Sequence, residues 1–240
     1  MKPNTAVPAT RSELLACIAA DAVLSRVFSH VRELSADDAA HDVEHLLRVA
    51  LQTIKLAGGS VELRCAVCAA LLHDVVNLPK NHPERARASE WSAQKARELL
   101  GVEGLPAAEL AEIIEAIEDH SFSSGRRPRS VLGEALQDAD RLEALGALGI
   151  ARTFSTGVRL GARYFHAEDP WAEARPLDDR AFSVDHFFTK LLALPETLCT
   201  EAGRSEAARR ARILKAFLLA LGDEIGVPLP DERLDLHSRG

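Results

Sequence analysis

The sequence predicts an all-α protein. Apolar residues recur at helical spacing along most of the 240 residues, alanine and leucine are abundant, and no stretch combines strand-like alternation with β-branched enrichment. The composition, 47% hydrophobic and 27% charged, is that of a chain able to bury one substantial core. A single helical bundle is therefore expected over residues 12–226, between a flexible N-terminus at 1–11 and a C-terminal tail at 227–240.

Taken in order, a first helix is expected from Ser12, which can cap it, to Leu34. A second runs from about Ala39 to Leu56 and stops at Gly58-Gly59, where glycine accepts the left-handed conformation that ends helices. Ser60 opens a third, whose apolar run Ala66-Val67-Cys68-Ala69-Ala70-Leu71-Leu72 ends at His73-Asp74. Pro79 and Pro83 cannot donate helical hydrogen bonds, so Asn77 to Glu84 reads as a loop able to fold over whatever lies at that helix end. Helices follow at Arg87–Leu100, Ala107–Asp119 and Ser130–Leu148, the last continuing through Ile150 to Val158 with breaks open at Gly146 and Gly149. Tyr164 to Arg180 holds Pro170, Pro176 and several charges, and reads as an irregular excursion. Helices near Ser183–Leu194 and Arg204–Ile225 complete the chain.

Several function classes are disfavoured. No stretch approaches the ~20 consecutive apolar residues of a membrane helix, and Met1 to Thr10 lacks the apolar core of a secretory signal, so a cytoplasmic protein without a membrane partner is expected. Cys17, Cys65, Cys68 and Cys199 form no disulfide framework, and Cys65-Ala66-Val67-Cys68 reads as buried thiols on an apolar helix. A formal charge of −7 argues against a broad nucleic-acid surface. It leaves room for one small anion, because Lys80, Arg85 and Arg87 cluster after His73-Asp74 and Arg126, Arg127 and Arg129 after His120. Either cluster can equally be a solvated surface.

The residues that carry chemistry are histidines and aspartates. His41 and His45 lie four apart on one helix and share a face, so one of them can point inward. Adjacent helical residues diverge by about 100°, so His73 and Asp74 meet one ion only if the helix is ending there, which Pro79 favours. Asp138 and Asp140 face nearly opposite sides of a helix; Asp140 is the favoured ligand. Two imidazoles and two carboxylates from His45, His73, Asp74 and Asp140 would neutralise a divalent cation and leave it coordination room, which suits metal-assisted hydrolysis better than a closed structural zinc site. Manganese or magnesium is the expected ion; cobalt, nickel, iron and zinc fit the same donors.

These segments together resemble the HD-domain metal-dependent phosphohydrolase superfamily, with its H…HD…D pattern, and within it a YedJ-like branch. The resemblance rests on His41-Asp42-Val43-Glu44-His45 with Arg48-Val49, on His73-Asp74 with Lys80-Asn81-His82-Pro83-Glu84-Arg85, and on His120-Ser121-Phe122-Ser123. It continues through Gln137 to Arg152, Glu168-Asp169-Pro170, Arg175 to Asp179 and His186 to Leu192, in the same order across most of the chain. It implies an HD-type helical bundle, ligation by His45, His73, Asp74 and Asp140, and hydrolysis of a phosphate ester or anhydride. Related proteins look like nucleoside triphosphate pyrophosphohydrolases.

The expected reaction is attack by an ion-activated water on phosphorus, with Asp74, His120, Lys80 and Arg85 as the catalytic set. Lys80 and Arg85 would neutralise phosphate oxygens, and His120 could bind phosphate, donate a proton or ligate a second metal. Substrate contacts are expected from Lys80, His82, Arg85, His120, Arg141 and Lys190, the last, like Asp178, by resemblance alone. Arg141 and Arg152 share a face if their helix is continuous, and either can instead pair with Glu143 or Glu118. The substrate is expected to be a small phosphorylated molecule, a nucleotide first; a nucleotide phosphodiesterase, a metal-containing sensor and a structural adaptor are the alternatives.

Overall fold

The computed structural model describes residues 7–35, 43–76, 78, 82–121 and 125–234. Every regular element among them is helical, and the nearest approach to a sheet is a single bridge between Arg163 and Phe182. The all-α prediction holds. The chain divides into two compact units, the first ending at Asp140 and the second starting at Arg141.

The first unit opens with two helices where the sequence suggested one. Helix α1 spans Arg11–Ala20 and α2 spans Ala22–Ser35, bent by 114°. The break is local chemistry: Asp21 adopts an extended backbone, and its Oδ1 accepts from the N–H groups of Val23 and Leu24 at 2.9 and 3.1 Å, capping α2. The cap of α1 is Thr10 rather than Ser12. Its hydroxyl accepts from Glu13 N–H at 3.3 Å while the Glu13 carboxylate accepts from Thr10 N–H at 3.0 Å, a reciprocal capping box. No single described helix is long and apolar enough to cross a membrane.

Helix α3 (Val43–Ala57) ends at Gly58 and Gly59, both with positive φ. Helix α4 (Leu63–Leu72) is the centre of the unit. Cys65 through Leu72 are all buried, and α2, α3 and α5 (Ala88–Gly101) pack on it, as does α6 (Ala107–Asp119). A helix apolar on every side has to be wrapped by others. Full burial of a leucine such as Leu71 or Leu72 contributes about 1.5–3 kcal/mol, so this short helix anchors the unit. Burial also pushes the thiols of Cys65 and Cys68 up to about 12, as expected of unreactive core cysteines.

Helix α7 (Val131–Leu142) carries the boundary between the units. The break left open at Gly146 is realised: α7 ends at Leu142, and α8 runs from Gly146 to Arg159. Gly146 has φ 74°, while Gly149 sits inside α8 because a Cβ there would lie 2.2 Å from the Ala144 carbonyl oxygen. Residues 160–184 form the expected irregular excursion. It is held by the buried Asp185 carboxylate, which accepts both arms of Arg175 at 2.6 and 2.8 Å and the N–H of Asp178 at 2.7 Å. The helix expected near Ser183–Leu194 is a short α9 (Asp185–Thr189) followed by a 3-10 stretch at Leu191–Thr197. Helix α10 (Glu201–Ile225) buries Ala207, Leu214 and Leu218 and stacks Phe217 on the buried Phe187 at 5.7 Å.

Arg209 and Arg210 hold the Glu206 carboxyl at about 2, against an ordinary 4.5 and against the opposing pull of partial burial. Its folded value lies below its unfolded one, so the pairing stabilises above pH 4.5 and fades as the pH falls toward 2. Glu206→Gln should remove ~2 kcal/mol at pH 6 and almost nothing near pH 2. Urea unfolding of both proteins across that range measures the difference; a pH-independent gap would contradict it.

Candidate metal centre

The site lies at the C-terminal ends of two core helices that finish in the same way. His73 is the residue after α4 and His120 the residue after α6, and each ring Nδ1 bonds a carbonyl three residues back, Ala70 at 2.8 Å and Ile117 at 2.7 Å. A carbonyl only accepts, so each Nδ1 carries the proton. That fixes the Nε2 lone pair, or an added proton, as the group each ring presents to the site. His73 Nε2 is fully buried with no hydrogen-bond partner, an arrangement that is costly in a folded protein unless something binds there.

Acidic groups face these nitrogens. Asp74 Oδ2 is 3.6 Å from His73 Nε2, and Asp74 Oδ1 is 3.4 Å from His120 Nε2. From α7, Asp140 Oδ1 lies 3.7 Å from His45 Nε2 and 3.9 Å from His73 Nε2. Two sets thus have all their donor atoms within 4.8 Å of one another: His45, His73 and Asp140, and His73, Asp74 and His120. His73 belongs to both. Separations of 3.4–3.9 Å are long for hydrogen bonds and close to the spacing of two ligands that each lie about 2.1 Å from one ion. The donors, the spacing and the orphaned nitrogen fit a divalent metal site, and this His/Asp cluster is one.

The electrostatics agree. Burial pushes the His73 imidazole below its ordinary value, keeping it neutral as a ligand must be. Burial opposes ionisation of Asp74, but His73 and His120 beside it outweigh that and hold the carboxyl below its usual range. Burial also works against a proton on His120, yet the Asp74 carboxylate beside it raises it overall.

His45, His73, Asp74 and Asp140, the four expected ligands, converge, and His120 joins them. His41 and Lys80 lie outside the described residues, as do Asn77, Pro79 and Asn81 of the following loop. His82 Nδ1 accepts from Glu84 N–H at 3.1 Å, and the Arg85 guanidinium donates to the Leu78 carbonyl, so both brace the described part of that loop. In the second unit, Arg141 donates to the Thr197 carbonyl and Lys190 is exposed at the end of α9. The break after Leu142 removes the shared face proposed for Arg141 and Arg152, and Arg152 lies 3.9 Å from Glu143. Glu118 pairs instead with Arg126 and Arg129 at 3.0 and 3.2 Å.

Sequence reasoning missed how the end of α6 is braced. Asp119, buried beside His120, accepts Arg129 through both oxygens at 2.7 and 3.0 Å. Gln137 on α7 donates to the Asp119 carbonyl at 3.2 Å, linking the helix that carries Asp140 to the helix end that carries His120. Neither partner is near Asp119 in the chain, so spacing offered no signal.

An all-helical fold with a His/Asp metal site at its core helix ends is suited to metal-dependent hydrolysis. Residues 42–145 match the HD domain. The chain is 30% identical to YpgQ of Bacillus subtilis over 197 residues, 80% of this chain and 88% of that protein, and it belongs to the HD-domain phosphohydrolase superfamily. A crystal structure of an HD-superfamily hydrolase from Bacillus thuringiensis matches with TM-score 0.67 and 29% identity, over 90% of this chain and 99% of that one. The structure of Bacillus subtilis YpgQ in complex with ADP shares the fold, with TM-score 0.63 and 24% identity over 86% and 95% of the two chains.

Proposed function

We propose that this protein is a nucleotide phosphohydrolase of the YedJ-like branch that releases pyrophosphate from nucleoside triphosphates. The observation that carries the metal-centred part is the buried, partnerless Nε2 of His73, faced by Asp74 and Asp140 and flanked by His45 and His120. The nucleotide part is supported by the YpgQ relative, which was crystallised with ADP.

In this reading His45, His73, Asp74 and Asp140 hold the ion, with manganese or magnesium favoured by the two carboxylates and the room left for water. Such an ion, when bound, makes water a nucleophile near neutral pH and polarises a phosphoryl oxygen. The side chains do the rest. His120 presents only Nε2 to the site, 3.4 Å from Asp74, which supports a role in holding the proton that the leaving oxygen requires. Arg85 and Lys80, which follow the His-Asp pair in the sequence, supply positive charge to phosphate oxygens, and His82 contacts the substrate. Arg141 and Lys190 are proposed to contact the substrate. None of the four cysteines is in a disulfide, which suits a reducing, cytoplasmic setting.

The test is a screen of nucleotides and phosphate esters with added Mn²⁺ or Mg²⁺, in which phosphate and pyrophosphate are quantified separately. Pyrophosphate from a triphosphate is the expected product. Turnover confined to diesters would replace the reading with a phosphodiesterase, and phosphate released singly from monoesters would replace it with a phosphatase.

A further inference from the structure

The helix that carries His73 stops one residue before it, and something must hold the chain that leaves. Val75 N–H still reaches back to the Leu72 carbonyl at 3.2 Å, but residues 73–76 are no longer helical. Val76 then has both backbone groups satisfied by one side chain. Ser92, fully buried on α5, accepts from the Val76 N–H at 3.1 Å and donates to the Val76 carbonyl at 3.2 Å. Asp74 lies between two fixed points, the last turn of α4 and this two-way clamp two residues on.

We infer that Ser92 is a positioning residue that fixes the exit of α4 and, through it, the angle at which Asp74 meets His73 and His120. The inference rests on the proposed metal centre. A backbone segment freed at Val76 can swing about Val75, and a carboxylate one residue beyond His73 moves with it. A shift of a few tenths of an ångström alters how well Asp74 shares a ligand with His73, because ion–ligand distances tolerate about 0.2 Å. Ser89, one turn earlier on α5 and also buried, provides the internal comparison. Its hydroxyl has no hydrogen-bond partner among the described residues.

The experiment is calorimetric titration of Mn²⁺ into the full chain and into Ser92→Ala, Ser92→Cys and Ser89→Ala. A thiol fills the hydroxyl's place but bonds weakly, so Ser92→Cys separates lost hydrogen bonds from lost volume and carries the readout if the alanine variant does not fold. Both Ser92 variants should bind Mn²⁺ about tenfold more weakly, in the range seen when partners behind metal ligands are removed, and Ser89→Ala should match wild type within about twofold. Wild-type affinity in Ser92→Cys, or an equal loss in Ser89→Ala, overturns the positioning role while leaving the metal centre standing. No Mn²⁺ binding by the wild-type protein overturns both.

Discussion

Asp74→Ala should lower turnover by about a thousandfold or more while the protein stays folded, because it removes a group that acts only at the site. The side chain is only half-buried and is not among the buried core residues, so its loss leaves the core around α4 in place. What changes is the charge around His73 and His120. Both imidazoles face Asp74 within 3.6 Å, and no other carboxylate lies within ion-pairing distance of His120 among the described residues. Steady-state kinetics with saturating Mn²⁺, beside far-UV circular dichroism, test this. Turnover within tenfold of wild type would show that the reaction does not pass through this carboxylate.

Divalent metal should stabilise the protein strongly, and Asp140→Ala should abolish most of that gain. Folded protein that binds an ion at a hundred times its Kd gains about 2.7 kcal/mol, which for a chain of this length raises Tm by about 5–10 °C. The gain is expected because the apo site is unfavourable as it stands, with an orphaned nitrogen at the centre of the cluster. Asp140 bridges His45 on α3 to His73 beyond α4 at 3.7 and 3.9 Å, so without it His45 loses its carboxylate link to the cluster. Scanning calorimetry with chelator and with Mn²⁺ measures both shifts. A Tm unchanged by metal in the wild-type protein would mean that the cluster binds no ion.

Pattern and covalent logic carried much of this into the sequence. The apolar run before His73 and the Gly58-Gly59 pair mark helix limits that depend on neighbours in the chain, and the helices ending at Ala57 and Leu72 follow them. Helical geometry showed that Asp138 and Asp140 face different sides, so that at most one of them meets the ion; the preference for Asp140 came from Arg141-Leu142 continuing the helix beside it. Where prediction failed, a polar side chain reached the backbone. Asp21 broke the first helix by bonding Val23 and Leu24, and Thr10 capped it through Glu13. Just before Gly146, where the sequence left a break open, Arg210 donates to the Leu142 carbonyl at 2.6 Å from 68 residues away.

By itself, then, the sequence determined the all-α class and the placement of His73-Asp74 at the end of a buried helix, and it named four candidate donors spread over almost a hundred residues. Only the tertiary structure decided that these donors meet, that His120 stands among them, and that Asp119, Arg129, Gln137 and Ser92 hold the helix ends which present them. The physical reason is that helix periodicity and capping are written in residues three or four positions apart. Convergence of side chains, and the hydrogen bonds that fix their angles, depend on how separate helices pack, which no local spacing encodes.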